Sequence, residues 1–339
     1  REDSMKPKLL VTTEIDSIVD LRAKLNSYFK IVYAPNVAPN DLMEFDDDIW
    51  AIFTNPNNSK VYYGKESLEK LKSLKVLTTA STGTIHIDKE YLAKRAIELI
   101  SITKSISILE RITSTAEHAF LLTLSALRNY DAAVSSVDAG LWDYSPFVGR
   151  QMNSLKIGVV GYGRLGKMYA KFCNAFDAQV LCCDPFKQNE IRADGYESQT
   201  ISKLFEICDV VSLHIHATPE NNKLVNSQLL SNSNPNQVLV NTSRGEVVSE
   251  EDILAKAKKS PNFKYFSDVL CNEHRDLSSN KLFKSNLYGE QIIITPHCGG
   301  MTSDARAIAY HHAADLLIQA YEGDAPTQLK ASSHVVSDG

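Results

Sequence analysis

Six short apolar runs recur through residues 156–295, and segments with helical spacing separate them. They are Lys156–Val160, Gln179–Cys183, Val210–His214, Val238–Asn241, Tyr265–Asp268 and Gln291–Thr295. Strands that alternate with helices are typical of a parallel sheet covered by helices on both faces. This part of the chain is therefore predicted to be a doubly wound α/β domain.

A second series of the same kind occupies the first hundred residues. Its strand-like runs are Leu9–Thr12, Ile31–Tyr33, Ile49–Phe53, Val76–Thr79 and Ile100–Thr103. A helical pattern from Thr115 toward Tyr130 is longer than a crossover requires and is interpreted as a bridge between two domains. A last amphipathic helix is predicted from about Thr302 to Tyr321, ending at Glu322-Gly323. A chain of 339 residues has about the length of two domains.

The first run of the second series leads into the pattern Gly161-x-Gly163-x-x-Gly166, and a helical segment follows it. Gly161 suits a tight turn, Gly163 a close approach of the backbone to a pyrophosphate, and Gly166 close helix–strand packing. The free N–H groups at the start of the helix favour phosphate. The alternative is a structural glycine turn in a domain that binds no nucleotide.

An acidic residue, Asp184, closes the next apolar run. Its carboxylate would accept hydrogen bonds from a ribose 2′-hydroxyl and would repel a 2′-phosphate. The nearest following cation is Lys187, and no arginine stands beside Asp184. NAD is therefore the expected cofactor rather than NADP.

Four chemically active side chains follow predicted strands: Arg244, Asp268, Glu273 and His297. Ligands of an open α/β sheet bind beyond the carboxyl ends of its strands, so these groups are expected to converge on the nicotinamide edge. Oxidation of a hydroxy acid needs a base for the hydroxyl proton, and histidine titrates near neutrality. A carboxylate beside that histidine stabilises its protonated form, and a guanidinium fork binds the carboxylate of the acid and polarises its carbonyl.

Taken together, these residues resemble the D-isomer-specific 2-hydroxyacid dehydrogenase family. The resemblance is clear from Val76 to Gly323 and looser in the N-terminal part. Its motifs are Gly161–Gly166 with Asp184, Thr115-Ala116-Glu117-His118, Val211-Ser212-Leu213-His214, Asn241–Gly245, Asp268-Val269 with Glu273, and Thr295-Pro296-His297.

The resemblance implies an NAD-dependent oxidoreductase that interconverts a D-2-hydroxy acid and its 2-keto acid by hydride transfer. It implies that Arg244, Glu273 and His297 are catalytic. The cofactor contacts that it implies are Gly161, Gly163, Arg164, Leu165, Gly166, Asp184, Thr82, Thr115, Thr242, Ser243, Arg244, Asp268, His297 and Gly300. It also implies that the substrate carboxylate binds to Ser81, Thr82, Gly83 and Arg244, with backbone N–H groups of the first three forming a nest.

The same resemblance implies two Rossmann-like or flavodoxin-like domains. The NAD-binding domain, residues 111–302, would be inserted into a discontinuous substrate-binding domain of residues 6–110 and 303–330, and residues 331–339 would form a polar tail. It further implies hinge closure over a cleft and a homodimer formed through the NAD-binding domains.

Several positions depart from the family pattern. Ser81 replaces a usual glycine and Thr84 a frequent valine, His274 replaces a common proline, and His216-Ala217 replace Pro-Leu. The stretch 54–58 lies where phosphoglycerate-specific members have an arginine-containing loop, and Lys60 is its only nearby cation. A 3-phosphoglycerate dehydrogenase of serine biosynthesis therefore remains an alternative. A second alternative, of a different class, is a non-catalytic NADH-sensing protein similar to corepressors of this fold.

Composition limits the other classes of function. The net charge of −5 argues against a general nucleic-acid or anionic-membrane surface, and no apolar run approaches the roughly 20 residues of a membrane span. The polar start of the chain lacks the hydrophobic core of a signal peptide.

Six cysteines without a C-x-x-C pair are expected to be reduced thiols in the cytoplasm. His214 and His216 have no third partner at suitable spacing, so no metal site is expected.

Overall fold

A computed structural model describes residues 6–56, 61–273, 277–284 and 291–324. The chain divides into two compact units. Unit 1 comprises Arg1–Ile112 and Thr302–Gly339, and unit 2 comprises Thr113–Met301. The expected domain borders lie close to these positions, whereas the expected polar tail, residues 331–339, lies outside the described residues.

In the part of unit 1 that the structure describes, the strands are β1 Lys8–Val11, β2 Lys30–Tyr33, β3 Ile49–Thr54, β4 Val76–Thr79 and β5 Glu98–Ser101. These five strands are parallel and form one sheet in the order β2-β1-β3-β4-β5. Helices α1 Leu21–Tyr28, α2 Lys65–Leu68, α3 Lys89–Lys94 and α4 Ile106–Leu109 accompany them, and α12 Ser303–Asp324 returns to this unit.

Both faces of the unit 1 sheet are buried. Neighbouring residues of each strand point to opposite faces, so adjacent residues belong to different hydrophobic clusters. Leu9 belongs to the cluster formed with α1 and α12, whereas Leu10 belongs to the cluster formed with α2 and α3. Burial on both faces explains why the strands have near-continuous apolar sequences rather than alternating ones.

The described residues of unit 2 form the strands β6 Lys156–Val160, β7 Gln179–Cys183, β8 Glu197–Ser198, β9 Val210–Leu213, β10 Val238–Asn241, β11 Lys264–Ser267 and β12 Ile292–Ile294. These seven strands are parallel and lie in one sheet in the order β12-β11-β10-β9-β6-β7-β8. Its helices are α5 Ser114–Arg128, α6 Tyr130–Asp138, α7 Arg164–Ala175, α8 Gln188–Ala193, α9 Ile201–Ile207, α10 Ser227–Ser231 and α11 Glu250–Lys259. The strand order reverses beside β6, and this is the point at which such sheets bind ligands.

The predicted α/β architecture is confirmed, with local corrections. The helix predicted from Thr115 toward Tyr130 is confirmed as α5, which ends at Arg128. Asn129, with φ of +51°, separates it from α6, which was not predicted. Strand β5 begins at Glu98 rather than Ile100, and the chain enters a 3₁₀ turn at Ile102. The two-residue strand β8 was not predicted, because it is too short to show a period of two.

The predicted end of the last helix is also wrong. Gly323 lies within α12, which continues to Asp324. A Cβ at Gly323 would meet nothing within 4 Å, and an exposed glycine inside a helix costs only about 1 kcal/mol. Within the described ranges, none of the helices has both the length and the apolar character required to span a bilayer.

Candidate active site

The glycine loop of unit 2 is shaped by two contacts that admit no side chain. Gly161 follows β6 with φ of +90°, and a Cβ there would lie 2.4 Å from the carbonyl oxygen of His214. A Cβ on Gly166, in the first turn of α7, would lie 2.0 Å from the carbonyl oxygen of Gly161. Both glycines are therefore required by the packing of the chain itself.

Gly163 differs from its two neighbours in the motif. It is the N-cap residue of α7, and a Cβ added to it would meet no atom within 4 Å. Its backbone is in the extended region, which any residue can adopt. The fold therefore does not require glycine at this position.

Asp184 is fixed against the glycine loop. Its Oδ2 accepts a hydrogen bond from the N–H of Tyr162 at 3.0 Å, and its Oδ1 accepts one from the N–H of Phe186 at 3.0 Å. Each carboxylate oxygen can accept a second hydrogen bond. The side chain is thus held at the end of β7 with acceptor capacity left over.

The turn that presents Arg244 is organised by Asn241 at the end of β10. The fully buried Asn241 accepts hydrogen bonds at Oδ1 from the N–H of Ser243 at 3.0 Å and from its hydroxyl at 2.7 Å. Its Nδ2 donates to the carbonyl of Arg244 at 3.0 Å. Within the described residues, the guanidinium of Arg244 donates to the carbonyl of Ser243 and forms no hydrogen bond with Glu273 or His297.

This turn is packed directly on the loop that leads to Glu273. A Cβ on Gly245 would lie 2.0 Å from the carbonyl carbon of Leu270, so only glycine fits between the two segments. The carboxylate of Glu250 accepts the N–H of Cys271 at 2.8 Å. Burial raises the pKa of Glu250, although the hydrogen bond from Cys271 opposes this shift. The backbone positions of Arg244 and Glu273 are consequently linked.

His297 and Glu273 form a hydrogen-bonded pair between Nδ1 and Oε1. The second carboxylate oxygen of Glu273 accepts the N–H of Leu270 at 3.2 Å. An ionised carboxylate is an acceptor only, so Nδ1 carries the proton. In the part of the chain that the structure describes, Nε2 of His297 has no hydrogen-bond partner, and the imidazole is 32% exposed.

Asp268 lies beside this pair at the end of β11 and is almost fully buried. Its Oδ1 accepts hydrogen bonds from the hydroxyl of Thr295 at 2.5 Å and the N–H of Cys298 at 2.9 Å, and its Oδ2 accepts the N–H of Gly299 at 2.8 Å. Burial alone would raise the pKa of Asp268. Hydrogen bonds from His118, Thr295 and the Gly299 amide outweigh burial and hold this pKa below its usual range.

His118 is a site residue that the list of predicted contacts omitted. It projects from α5 and lies with Nε2 at 2.9 Å from the Thr295 hydroxyl and 3.4 Å from the Asp268 carboxylate. The sequence did contain an indication of this role, because His118 is the last residue of the family motif Thr115–His118. Thr115 itself lies near Gly300, with its hydroxyl 3.7 Å from the position of a Gly300 Cβ.

The predicted substrate-carboxylate loop belongs to unit 1 and follows β4. The Ser81 hydroxyl donates to the carbonyl of Gly83 at 2.7 Å, and Thr103 donates to the carbonyl of Thr82 at 3.0 Å. Among the residues described, the N–H groups of Thr82 and Gly83 have no acceptor. The departures at 57–58, Lys60 and His274 lie outside the described residues.

His214 and His216 do not alternate on a strand, because β9 ends at Leu213. Nε2 of His214 is 2.9 Å from the Ser212 hydroxyl, and burial lowers the pKa of His214 to about 3. His214 is therefore neutral at physiological pH. His216 is exposed, and its carbonyl accepts a hydrogen bond from Asn221.

Residues 120–299, more than half of the chain, match the family described as D-isomer specific 2-hydroxyacid dehydrogenase, NAD binding domain. The chain belongs to this family. Its NAD-binding domain includes the glycine loop, Asp184 and the pair of His297 with Glu273.

Relatives of this family cover the chain to different extents. D-3-phosphoglycerate dehydrogenase of Mycobacterium leprae is 30% identical over 276 residues, which are 80% of this chain and 50% of the relative. The chain thus spans about half the length of the curated relatives it matches first.

Two solved structures share the fold over nearly their whole length. D-lactate dehydrogenase from Aquifex aeolicus, complexed with NAD and lactic acid, has a TM-score of 0.76 at 22% identity. The match covers 98% of this chain and 100% of the Aquifex chain. A putative D-isomer specific 2-hydroxyacid dehydrogenase from Polaromonas has a TM-score of 0.81 at 19% identity. The match covers 95% of this chain and 98% of the Polaromonas chain.

Proposed function

We propose that this chain is an NAD-dependent dehydrogenase that interconverts a D-2-hydroxy acid and its 2-keto acid. The observation that carries the proposal is the hydrogen-bonded pair of His297 and Glu273, placed after the strands of an NAD-binding domain. A histidine oriented by a carboxylate through Nδ1 leaves Nε2 to exchange a proton with a substrate oxygen.

The residues present fit the cofactor. Open space at Gly163 would allow a pyrophosphate to approach the start of α7, and the two remaining acceptor positions of Asp184 suit the hydroxyls of a ribose. Asp268 is proposed to contact the nicotinamide carboxamide. The remaining contacts implied by resemblance are retained as proposals: Thr82, Thr115, Arg164, Leu165, Thr242, Ser243 and Gly300.

NAD, when bound, supplies or accepts the hydride. In the direction of reduction, the imidazolium form of His297 donates its Nε2 proton to the C2 oxygen as that oxygen gains charge. Glu273 then accepts one hydrogen bond, from Nδ1 of the neutral ring, whereas in the opposite direction it stabilises the imidazolium that forms. His297 thereby acts as acid in one direction and as base in the other.

Arg244 is proposed to bind the substrate carboxylate and to polarise the carbonyl at C2. A guanidinium offers a fork of donors that matches a carboxylate. For unit 1, the unpartnered amides of Thr82 and Gly83 remain the proposed anion-binding groups. Unit 1 is accordingly proposed to be the substrate-binding domain.

A phosphorylated substrate, 3-phosphoglycerate, is the second candidate. It is favoured by the Mycobacterium leprae relative, a D-3-phosphoglycerate dehydrogenase that is 30% identical to this chain. Lys60, the cation considered for such a phosphate, lies outside the described residues. The two candidates differ only in the group attached beyond C2, so they share the proposed roles of His297, Glu273 and Arg244.

The proposed homodimer is supported by an apolar surface on unit 2. Around α5, α6 and the segment that follows, Trp142 is 92% exposed and Tyr144 87% exposed, and both line a groove of about 990 Å³ together with Phe176. Contiguous apolar surface of this kind is typical of protein interfaces.

The proposed cytoplasmic location rests on six free cysteines, as expected in a reducing compartment.

The function is tested by following NADH oxidation with a panel of 2-keto acids: glyoxylate, hydroxypyruvate, pyruvate, 2-oxoglutarate, a branched acid and 3-phosphohydroxypyruvate. Turnover of at least one acid, with NADH preferred over NADPH, is the expected result. Preference for 3-phosphohydroxypyruvate would select the second candidate. NADH binding without turnover of any acid would contradict the enzymatic proposal.

A further inference from the structure

Three side chains of different chemistry meet beside the proposed nicotinamide contact. They are the imidazole of His118, the carboxylate of Asp268 and the thiol of Cys298, and one ligand atom from each lies within 4.8 Å of the other two. They come from three segments: α5, the end of β11 and the segment after β12. None of the proposed catalytic steps uses Cys298.

Two of the three separations within this cluster match those of a tetrahedral metal centre. Zinc binds nitrogen and oxygen at about 2.0–2.2 Å and sulfur at about 2.3 Å, so neighbouring ligand atoms lie roughly 3.3–3.7 Å apart. Nε2 of His118 is 3.4 Å from Oδ1 of Asp268, and Sγ of Cys298 is 3.7 Å from the same oxygen. Nε2 of His118 and Sγ of Cys298 lie within 4.8 Å of each other, so these two atoms would have to approach around the shared oxygen for all three to reach ligand distance.

The hydrogen bonds around the cluster could be replaced by bonds to a cation. Thr295 donates its hydroxyl proton to Oδ1 of Asp268, so in the neutral ring Nε2 of His118 donates to the Thr295 oxygen. Rotation of the Thr295 hydroxyl frees a lone pair on Oδ1, whereas the backbone N–H groups of Cys298 and Gly299 keep their acceptors. A bound cation would release the thiol proton into solvent, whereas His118 would remain a neutral imidazole whose single ring proton moves from Nε2 to Nδ1.

The donor set selects the class of cation. Thiolate and imidazole are ligands of zinc and similar soft or borderline cations, whereas magnesium and calcium prefer sets of oxygen ligands. One imidazole, one thiolate and one carboxylate also leave a fourth tetrahedral position for water.

We propose that His118, Asp268 and Cys298 bind one zinc-type divalent cation, and that this binding excludes NADH. The exclusion rests on the proposed function, because Asp268 is there assigned to the nicotinamide carboxamide. A cation on Oδ1, together with the N–H of Cys298, uses both lone pairs of that oxygen, and its positive charge repels an amide N–H that approaches the same carboxylate. The expected consequence is reversible inhibition that NADH relieves.

The site is tested with Co²⁺, which takes the place of zinc and reports a thiolate ligand by charge-transfer absorption. The wild-type chain is expected to bind one Co²⁺ per chain with this absorption. Cys298→Ala should lose the absorption and bind at least about tenfold more weakly. Cys271→Ala, at another half-buried cysteine, is the matched control and should bind as the wild type does. Thermal unfolding of both variants checks that they fold.

Two results would overturn the proposal: Co²⁺ binding that Cys298→Ala leaves unchanged, or Co²⁺ binding that saturating NADH does not weaken. Both measurements are independent of turnover. A chain that binds Co²⁺ through Cys298 in competition with NADH, yet reduces no keto acid, would retain the cation site and refute the proposed enzyme.

Discussion

Nδ1 of His297 is hydrogen-bonded to the carboxylate of Glu273, and each residue is held by its own backbone contact. His297 adopts a left-handed conformation with φ of +54°, and its N–H donates to the carbonyl of Thr295. Glu273 is held by the N–H of Leu270. A non-glycine residue in this conformation is uncommon, and its occurrence here indicates that the loop after β12 is shaped to aim the imidazole.

Replacing Glu273 tests the electrostatic part of this pair. Glu273→Gln is nearly isosteric but removes the negative charge, and its amide can donate to Nδ1 and thereby favour the wrong tautomer. Turnover of the best keto acid is expected to fall at least about 100-fold with NADH affinity little changed. Steady-state kinetics with Glu251→Gln, a surface carboxylate paired with Lys281, provides the control. Equal turnover in the two variants would remove Glu273 from the mechanism.

Asp184 is expected to set the preference between cofactors. In Asp184→Asn, loss of charge should weaken NADH binding by about tenfold and reduce the discrimination against NADPH, because repulsion of a 2′-phosphate is lost. Fluorescence titration with both cofactors measures the ratio. Asp177→Asn removes one charge at the far end of α7, where asparagine suits the left-handed backbone, and should leave the ratio unchanged. A ratio unchanged in Asp184→Asn would reject the assignment.

The glycine loop separates a requirement of the fold from a requirement of the ligand. Gly161→Ala should lower the free energy of unfolding by at least about 2 kcal/mol, because φ is positive and the carbonyl of His214 is in the way. Gly163→Ala should change stability by less than about 1 kcal/mol, yet weaken NADH binding at least about tenfold. Denaturant unfolding and NADH titration of both variants check the pair. Normal NADH affinity in a folded Gly163→Ala would contradict the proposed pyrophosphate contact.

Half-buried His214 should make the fold sensitive to acid. Its native pKa of about 3 lies below the value near 6.5 of an unfolded histidine, so below pH 6.5 the unfolded chain binds a proton that the native chain does not. Its contribution to stability therefore falls as pH drops from about 6.5 toward 3, by up to about 1.4 kcal/mol per pH unit. Denaturant midpoints across this range should fall less steeply for His214→Asn than for the wild type. His216→Asn, at an exposed site, should follow the wild type; if both variants behave alike, His214 is not the sensitive group.

The sequence was sufficient for the α/β architecture because both sheets consist of apolar runs buried on two faces. It also placed Gly161, Asp184 and His297, since each follows a strand that its own composition identifies. It could not reveal Asn241 or Glu250, whose roles depend on backbone groups of distant segments. The strand β8 was missed for a related reason, because two strand residues leave no periodic signal.

The role of His297 is the central claim, and turnover of His297→Ala tests it most directly. With the best keto acid and saturating NADH, the variant is expected to turn over about 100- to 10,000-fold more slowly than the wild type, because the proposed proton donor to the C2 oxygen is lost. Its NADH affinity should stay within about twofold, and His311→Ala, on α12 of unit 1, should behave as the wild type does. A His297→Ala variant that keeps wild-type turnover would contradict the account.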